Sequence, residues 1–334
     1  MKFILKKTTI ILFILLSIVP DLYAHTPIKP SGENESFETA FNIPTPAKSW
    51  TFYRELHDEG QIEYFILHLD EGEKFVVSVY TPRNVDNDFV PNLIVLGPRI
   101  ENGLPVPIEI EAPEELEITF IDGIRPESLE FEPFTPASYY FTAEYRADVT
   151  LEGDYYFLVY SDKGTGKYGI AAGYIETFTL LEWLKIPLDV IEIHQWEGQP
   201  LMLIFAPMIL TLILGFIVIF QRHKPTVITL WLGILAGLLY MGSGFMTLTQ
   251  MVIALNGAEH TLSFLIPLVF SILALILGSV ILRKMLKLDA SWTARDRIIL
   301  ALMGIFGLLL WAGILVGPTI TLILSILPST VLSR

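Results

Sequence analysis

Hydrophobic and polar positions follow three rhythms along this chain. Ile10 to Val19 is an uninterrupted apolar run, preceded by Lys2, Lys6 and Lys7 and broken by Pro20. From Ser49 to Gly173, β-branched and aromatic residues recur near a period of two, between turns rich in Asp, Gly and Pro. Beyond Leu201 come long runs without charge. The three rhythms predict a secretory signal peptide, an antiparallel β-sandwich and a helical membrane bundle.

The first run is about half the ~20 residues that a spanning helix needs. Leu22-Tyr23-Ala24 follows it as a small-residue cleavage site, so residues 1–24 are expected to be removed, leaving His25 first. Residues 25–48 lack periodicity and read as an extended lead-in. They hold the glycosylation sequon Asn34-Glu35-Ser36. Strands are predicted near 50–53, 62–69 and 74–80, then at 92–96, 108–110, 116–121, 138–145, 153–160 and 166–173, within a sandwich over 49–185. Ile186, Val190, Ile193 and Trp196 recur at helical spacing, with Glu192 and Glu197 facing elsewhere. Residues 186–199 are therefore a juxtamembrane helix or a last strand on the sandwich. The remainder, 200–334, predicts four spans at about 201–220, 228–252, 262–282 and 298–317. An apolar tail then runs to 334, either past a kink at Pro318 or dipping back into the bilayer.

Glu55-Leu56, Gly60-Gln61-Ile62-Glu63-Tyr64-Phe65 and Leu69-Asp70-Glu71-Gly72-Glu73 resemble the first half of a bacterial pre-peptidase C-terminal domain. Gly153-Asp154-Tyr155-Tyr156-Phe157-Leu158-Val159-Tyr160 and Gly166-Lys167-Tyr168-Gly169-Ile170-Ala171 resemble its closing strands. The resemblance covers roughly residues 40–173. Residues 81–137 depart from it through Pro-rich segments. It implies a jelly-roll-like sandwich that serves secreted proteins as a binding or anchoring adjunct and is not itself catalytic.

Charge adds orientation. The net charge of −14 over 334 residues averages two unlike bodies: 25–199 carries 11 basic and 32 acidic residues, and 200–334 eight basic and three acidic. An acidic exterior repels phosphate, which argues against a nucleic-acid partner. Arg222, Lys224, Arg283, Lys284, Lys287, Arg295 and Arg297 fall in the loops after the first and third spans. Basic loops stay cytoplasmic, which puts the sandwich outside a multi-pass cell-membrane protein. Trp196 and Trp292 are candidate interfacial anchors. Gly233 with Gly237, and Gly313 with Gly317, allow close helix packing within the chain or across a homo-oligomer.

Chemistry is sparse. Cysteine is absent, which excludes disulfides and thiolate catalysis. No charge lies inside a span, which disfavours ion-coupled transport. Gln250 stands alone there, and Gly242-Ser243-Gly244 with His260 falls short of an intramembrane protease motif. A free N-terminal His25 offers an amine and an imidazole suited to copper, with His57 and His68 as further ligands. Asn84, Asp86 and Asp88 have the opening spacing of a calcium loop, although Phe89 and Val95 stand where an EF-hand needs Gly and Glu. The Glu109–Glu117 run reads as a solvated face. The function expected is a membrane-anchored binding or accessory module that presents the sandwich to an envelope protein partner. The alternatives are an envelope protein handling copper or calcium, or a non-catalytic subunit of a membrane enzyme complex.

Overall fold

The strands form where alternation is strongest. The computed structural model describes residues 25–30, 34–100, 104–223, 227–259, 261–287 and 292–327. The expected signal peptide and the chain beyond 327 lie outside them. Eleven strands occur: β1 (Thr26–Pro27), β2 (Phe41–Asn42), β3 (Trp50–Leu56), β4 (Ile62–Leu69), β5 (Lys74–Pro82), β6 (Asn92–Gly97), β7 (Glu117–Ile121), β8 (Glu130–Glu132), β9 (Ala137–Asp148), β10 (Gly153–Tyr160) and β11 (Gly166–Ala172). They make two sheets, ordered β1-β3-β11-β5-β9-β8 and β2-β4-β10-β6-β7. Pairing is antiparallel except for the two-residue contacts of β1 with β3 and β2 with β4. The lead-in is thus tied to both sheets.

The sheets share one core. Phe52, Val77, Val79 and Ile170 from the first meet Phe65, Leu67, Val95 and Phe157 from the second, all fully buried. Phe65 and Phe157, paired across β4 and β10, stack at 4.8 Å. Gly72, at φ +90°, makes the β4–β5 turn in a conformation that a Cβ would strain. The strand expected at 108–110 is instead a loop. Pro105 and Pro107 remove donors there, and Ile108 and Ile110 cover the outer face around Phe120 and Tyr160.

One irregularity prepares the junction with the helices. The β5–β9 register slips between Val79 and Tyr80, leaving Thr142 unpaired. Ala143 then faces the core while Tyr139 and Phe141 face outward. Thr142 Oγ1 occupies the gap by donating to the carbonyls of Val79 and Pro91.

Among the described residues six α-helices follow: α1 (Leu180–Trp196), α2 (Leu201–Arg222), α3 (Ile228–Leu255), α4 (Leu265–Lys287), α5 (Ala294–Leu309) and α6 (Val316–Ile326). α1 begins six residues before the expected boundary at 186. Thr179 and Glu182 close a capping box that starts it there, and Lys48 ties Glu182 to the sandwich at 2.7 Å. α2, α3 and the segment Leu262–Lys287 are long and apolar enough to cross a membrane.

The expected fourth span, 298–317, is not one helix. α5 stops at Leu309, and Trp311, Gly313, Ile314 and Leu315 all take positive φ. That conformation is costly for a β-branched residue, and it turns the chain back on itself. α6 then returns along α5, so that a Cβ on Gly304 would strike Leu322 and Thr321. With 16 and 11 residues the legs reach only ~24 and ~16 Å, short of the ~30 Å core. Trp311 at the tip contacts Trp183 and Phe270, while Leu324 and Leu300 join Met285 and Trp292 at the far end. The described part of the apolar tail, through Ile326, is therefore the second leg of a hairpin whose tip lies toward the sandwich.

The glycine pairs are used inside the chain. Gly237 and Gly278 bring α3 and α4 together, and a Cβ on Gly278 would lie 2.6 Å from the Gly237 carbonyl. Gly307, Gly313 and Gly317 cradle the ring of Tyr240. Trp292 is buried in this core.

Candidate functional site

The sandwich is locked onto the bundle. Arg83, just past β5, donates to the carbonyls of Ile253, Ala254 and Asn256 at the C-terminus of α3. A cation there meets the negative end of the helix dipole. Ser128 and the Leu129 carbonyl hold Glu259, and Leu129 and Phe131 pack on Met251, Ala254 and Ala258. On the other side Trp196 packs on Tyr53 at 4.9 Å and donates to the Arg54 carbonyl, so it anchors the sandwich to α1.

A cavity of about 100 Å³, partly open, is lined jointly by both bodies. Its roof is the β8–β9 loop, Pro133, Phe134 and Pro136. One wall is α1, through Ile186, Pro187, Val190 and His194. The floor is the hairpin tip, Leu310 to Ile314, and the remainder comes from α2, α3 and α4, including Met246, Phe270 and Ala274. Most of this lining is apolar.

Four polar side chains reach it: His194, Ser243, Thr247 and Gln250. Ser243 donates to the Tyr240 carbonyl and accepts from the Gly313 N–H at 2.7 Å, which holds the hairpin tip. His260, its sequence companion, lies outside the described residues. Thr247 donates to the Ser243 carbonyl. Gln250 is not alone: its amide exchanges two hydrogen bonds with Gln199, at 2.9 and 3.0 Å. His194 is different. Its side chain is 2% exposed and its Nδ1 lies 2.9 Å from Glu197 Oε2, while its Nε2 has no partner. Glu197 Oε1 and the Tyr139 hydroxyl, also buried, are unpartnered as well. Burial, reinforced by the negative charge of Glu197, drives the Tyr139 phenol well above its ordinary range.

Sequence reasoning gave His194 no role. The signal was there, because His194 stands four residues after Val190 and eight after Ile186, on the apolar face. Glu197, expected to face elsewhere, instead turns in as the partner of His194 at i+3.

A second cavity, of about 580 Å³, lies on the other side of the β8–β9 loop. Glu132 lines it and accepts from the Phe134 N–H. Enclosure by protein pushes its carboxyl up to about 8. His25 borders the same cavity with its Nδ1 2.5 Å from Ser49 Oγ, and burial pushes its imidazole down to about 4.

The other candidate ligands do not converge. His57 lies in an exposed turn beside Gln61. Asn84 donates to the Glu197 carbonyl, 113 residues on, and Asp86 accepts from the Asp88 N–H in its own turn. His68 does have company: its ring and the carboxylates of Asp70 and Glu152 offer atoms all within 4.8 Å, and its Nδ1 is 2.8 Å from Asp154. These groups are exposed, and the Asp154 hydrogen bond raises the imidazole above its usual value. Among the described residues this is the one such cluster of three. The five glutamates of 109–117 are exposed, and Glu117 accepts from the Ile100 N–H. The sequon residue Asn34 is 3% exposed and bonded to Arg54 and Tyr64, so the folded chain withholds it from glycosylation.

No protein-family model matches the chain, and no curated protein matches it either.

Proposed function

We propose that this chain is a membrane-anchored, extracytoplasmic binding module whose ligand site is the cavity between sandwich and bundle. The observation that carries this is a shared lining. Both bodies contribute to the wall of the space, and His194, buried with an unpartnered Nε2, is among the lining residues. Buried polar groups are normally satisfied, and an orphan in a pocket is a common mark of binding. The signal peptide and the basic loops at the end opposite the sandwich support export of the sandwich and a multi-pass membrane location. The resemblance to pre-peptidase domains supports a binding role over a catalytic one, and an envelope protein partner then reads the sandwich surface. Ligand retention tests the site. Full-length protein purified in mild detergent is expected to release an apolar small molecule on denaturation, detected by mass spectrometry at near-stoichiometric yield. Ala274→Leu, which fills the cavity, is expected to lose it. Equal recovery from both proteins would sink the site.

The cluster of His68, Asp70 and Glu152 favours a second reading, metal handling at the sandwich surface. The donor set of one imidazole and two carboxylates suits a divalent transition metal such as copper better than calcium. Calorimetric titration of the full-length protein with Cu(II) is expected to show one site that His68→Ala removes. Unchanged heat in the variant would assign the binding elsewhere.

A further inference from the structure

We propose that the free side of α1 is a membrane-docking surface, on which Leu181, Leu184 and Leu188 enter the bilayer leaflet nearest the sandwich. Two sides of α1 are already occupied. Toward the sandwich, Glu182 pairs with Lys48, Glu192 with Lys29, and Trp196 packs on Tyr53. Toward the bundle, Trp183 meets Trp311 at 4.5 Å, and Ile191 packs with Ile204 and Met208. The helix thus lies flat between the two bodies. On an α-helix the three leucines fall within about 60° of one another, and they point sideways between the occupied sides. Leu181 is 74% exposed and Leu188 45%. Single exposed leucines are ordinary, but a stripe at i, i+3 and i+7 is the pattern of an interfacial amphipathic helix. Depth names the occupant. α2 has 22 residues, about 33 Å, which matches the ~30 Å hydrocarbon core without overhang. The residues beneath α1 are Ile204 and Met208 on α2, with Phe270 of α4 stacked on Trp311. They lie roughly 5–10 Å in from the sandwich ends of those helices. That is the depth at which interfacial helices bury their apolar face. The stripe is therefore level with the lipid-facing surface of the spans. Lys185, exposed on the sandwich edge of the stripe, can lay its stem over the leucines and reach the phosphates.

The chain has no cysteine, so a nitroxide on Leu181→Cys, Leu184→Cys or Leu188→Cys reports one place only. Each full-length variant is placed in phosphatidylcholine nanodiscs. Electron paramagnetic resonance then measures collisions of the label with oxygen, which concentrates in hydrocarbon, and with a water-soluble nickel chelate. Leu214→Cys, at a 60% exposed position within α2, marks lipid, and Glu59→Cys, in the exposed turn after β3, marks water. The logarithm of the oxygen-to-nickel ratio is expected to be positive at the three leucines, as at Leu214→Cys, and to change sign at Glu59→Cys. Three positions report one surface, so a variant that loses the wild-type near-ultraviolet circular dichroism is set aside and the other two decide. A negative value at the leucines with a positive one at Leu214→Cys would overturn the docking surface alone. Few collisions with either reagent at the leucines would also overturn it, because a protein partner or a second copy would then cover the stripe. A negative value at Leu214→Cys as well would overturn the membrane reading of α2.

Discussion

Arg54→Met is expected to cost the sandwich about 3–5 kcal/mol, because it strands a buried carboxylate. Glu63 is 1% exposed on β4. Arg54 on β3 grips it with two bonds of 2.7 Å, and the Tyr168 hydroxyl donates to it from β11. Arg54 also holds Asn34 at 2.8 Å, which pins the lead-in. Three strands from two sheets thus meet on one ion pair. Removing the cation leaves the Glu63 side chain, 2% exposed, without its charge partner. The Tyr168 phenol, which burial and the Glu63 charge keep neutral, donates one hydrogen bond but carries no positive charge, so it cannot replace Arg54. Denaturant unfolding of full-length protein, followed by near-ultraviolet circular dichroism, measures the loss. The double variant Arg54→Met with Glu63→Leu is expected to recover most of it, since a buried pair is often replaceable by apolar groups. A single-variant loss below about 1 kcal/mol would mean that the pair behaves like a surface salt bridge.

In the bundle, Tyr240→Ala is expected to cost about 3–5 kcal/mol, the range for emptying a large aromatic site. The ring is fully buried between α3 and the hairpin, and Gly307, Gly313 and Gly317 shape the hole around it. Its hydroxyl donates to the Met303 carbonyl at 3.0 Å. Tyr240→Phe loses that bond and the one shared with Thr321 Oγ1 at 3.3 Å, so about 1–2 kcal/mol is expected. Unfolding in mixed micelles with dodecyl sulfate, with fluorescence reporting the contact of Trp183 with Trp311, reads both variants. A Tyr240→Ala loss no larger than that of Tyr240→Phe would show that the hairpin closes over the hole.

Strand positions in the sandwich were legible because one face of each strand is buried, which forces a period of two. Phe65, Leu67 and Leu69 announce β4 without help. The spans were equally legible, since a run like Leu201–Phe220 has few other uses. What escaped was everything set by partners distant in sequence. Ile298 to Gly317 has the composition of a span, and only the contact of Trp311 with Trp183 and the glycine cradle around Tyr240 explain a turn in its midst. Gln250 looked solitary because Gln199 is 51 residues away. The metal candidates were selected by residue type and spacing; Asp70 stands only two residues from His68, yet Glu152 reaches it through the pairing of β4 with β10, which no local motif encodes. His194 is the instructive miss. Its helical face was visible, but its isolation depends on a roof, a floor and walls drawn from six segments of the chain.

The hairpin also has a mechanical consequence. Its legs turn at Trp311, and Leu327 at the end of the second leg packs with Met285 and Trp292, at the pole remote from the sandwich. Its tip forms part of the cavity lining, while its base lies against Leu300, Met285 and Trp292. One short folded-back element thus touches both ends of the helical bundle.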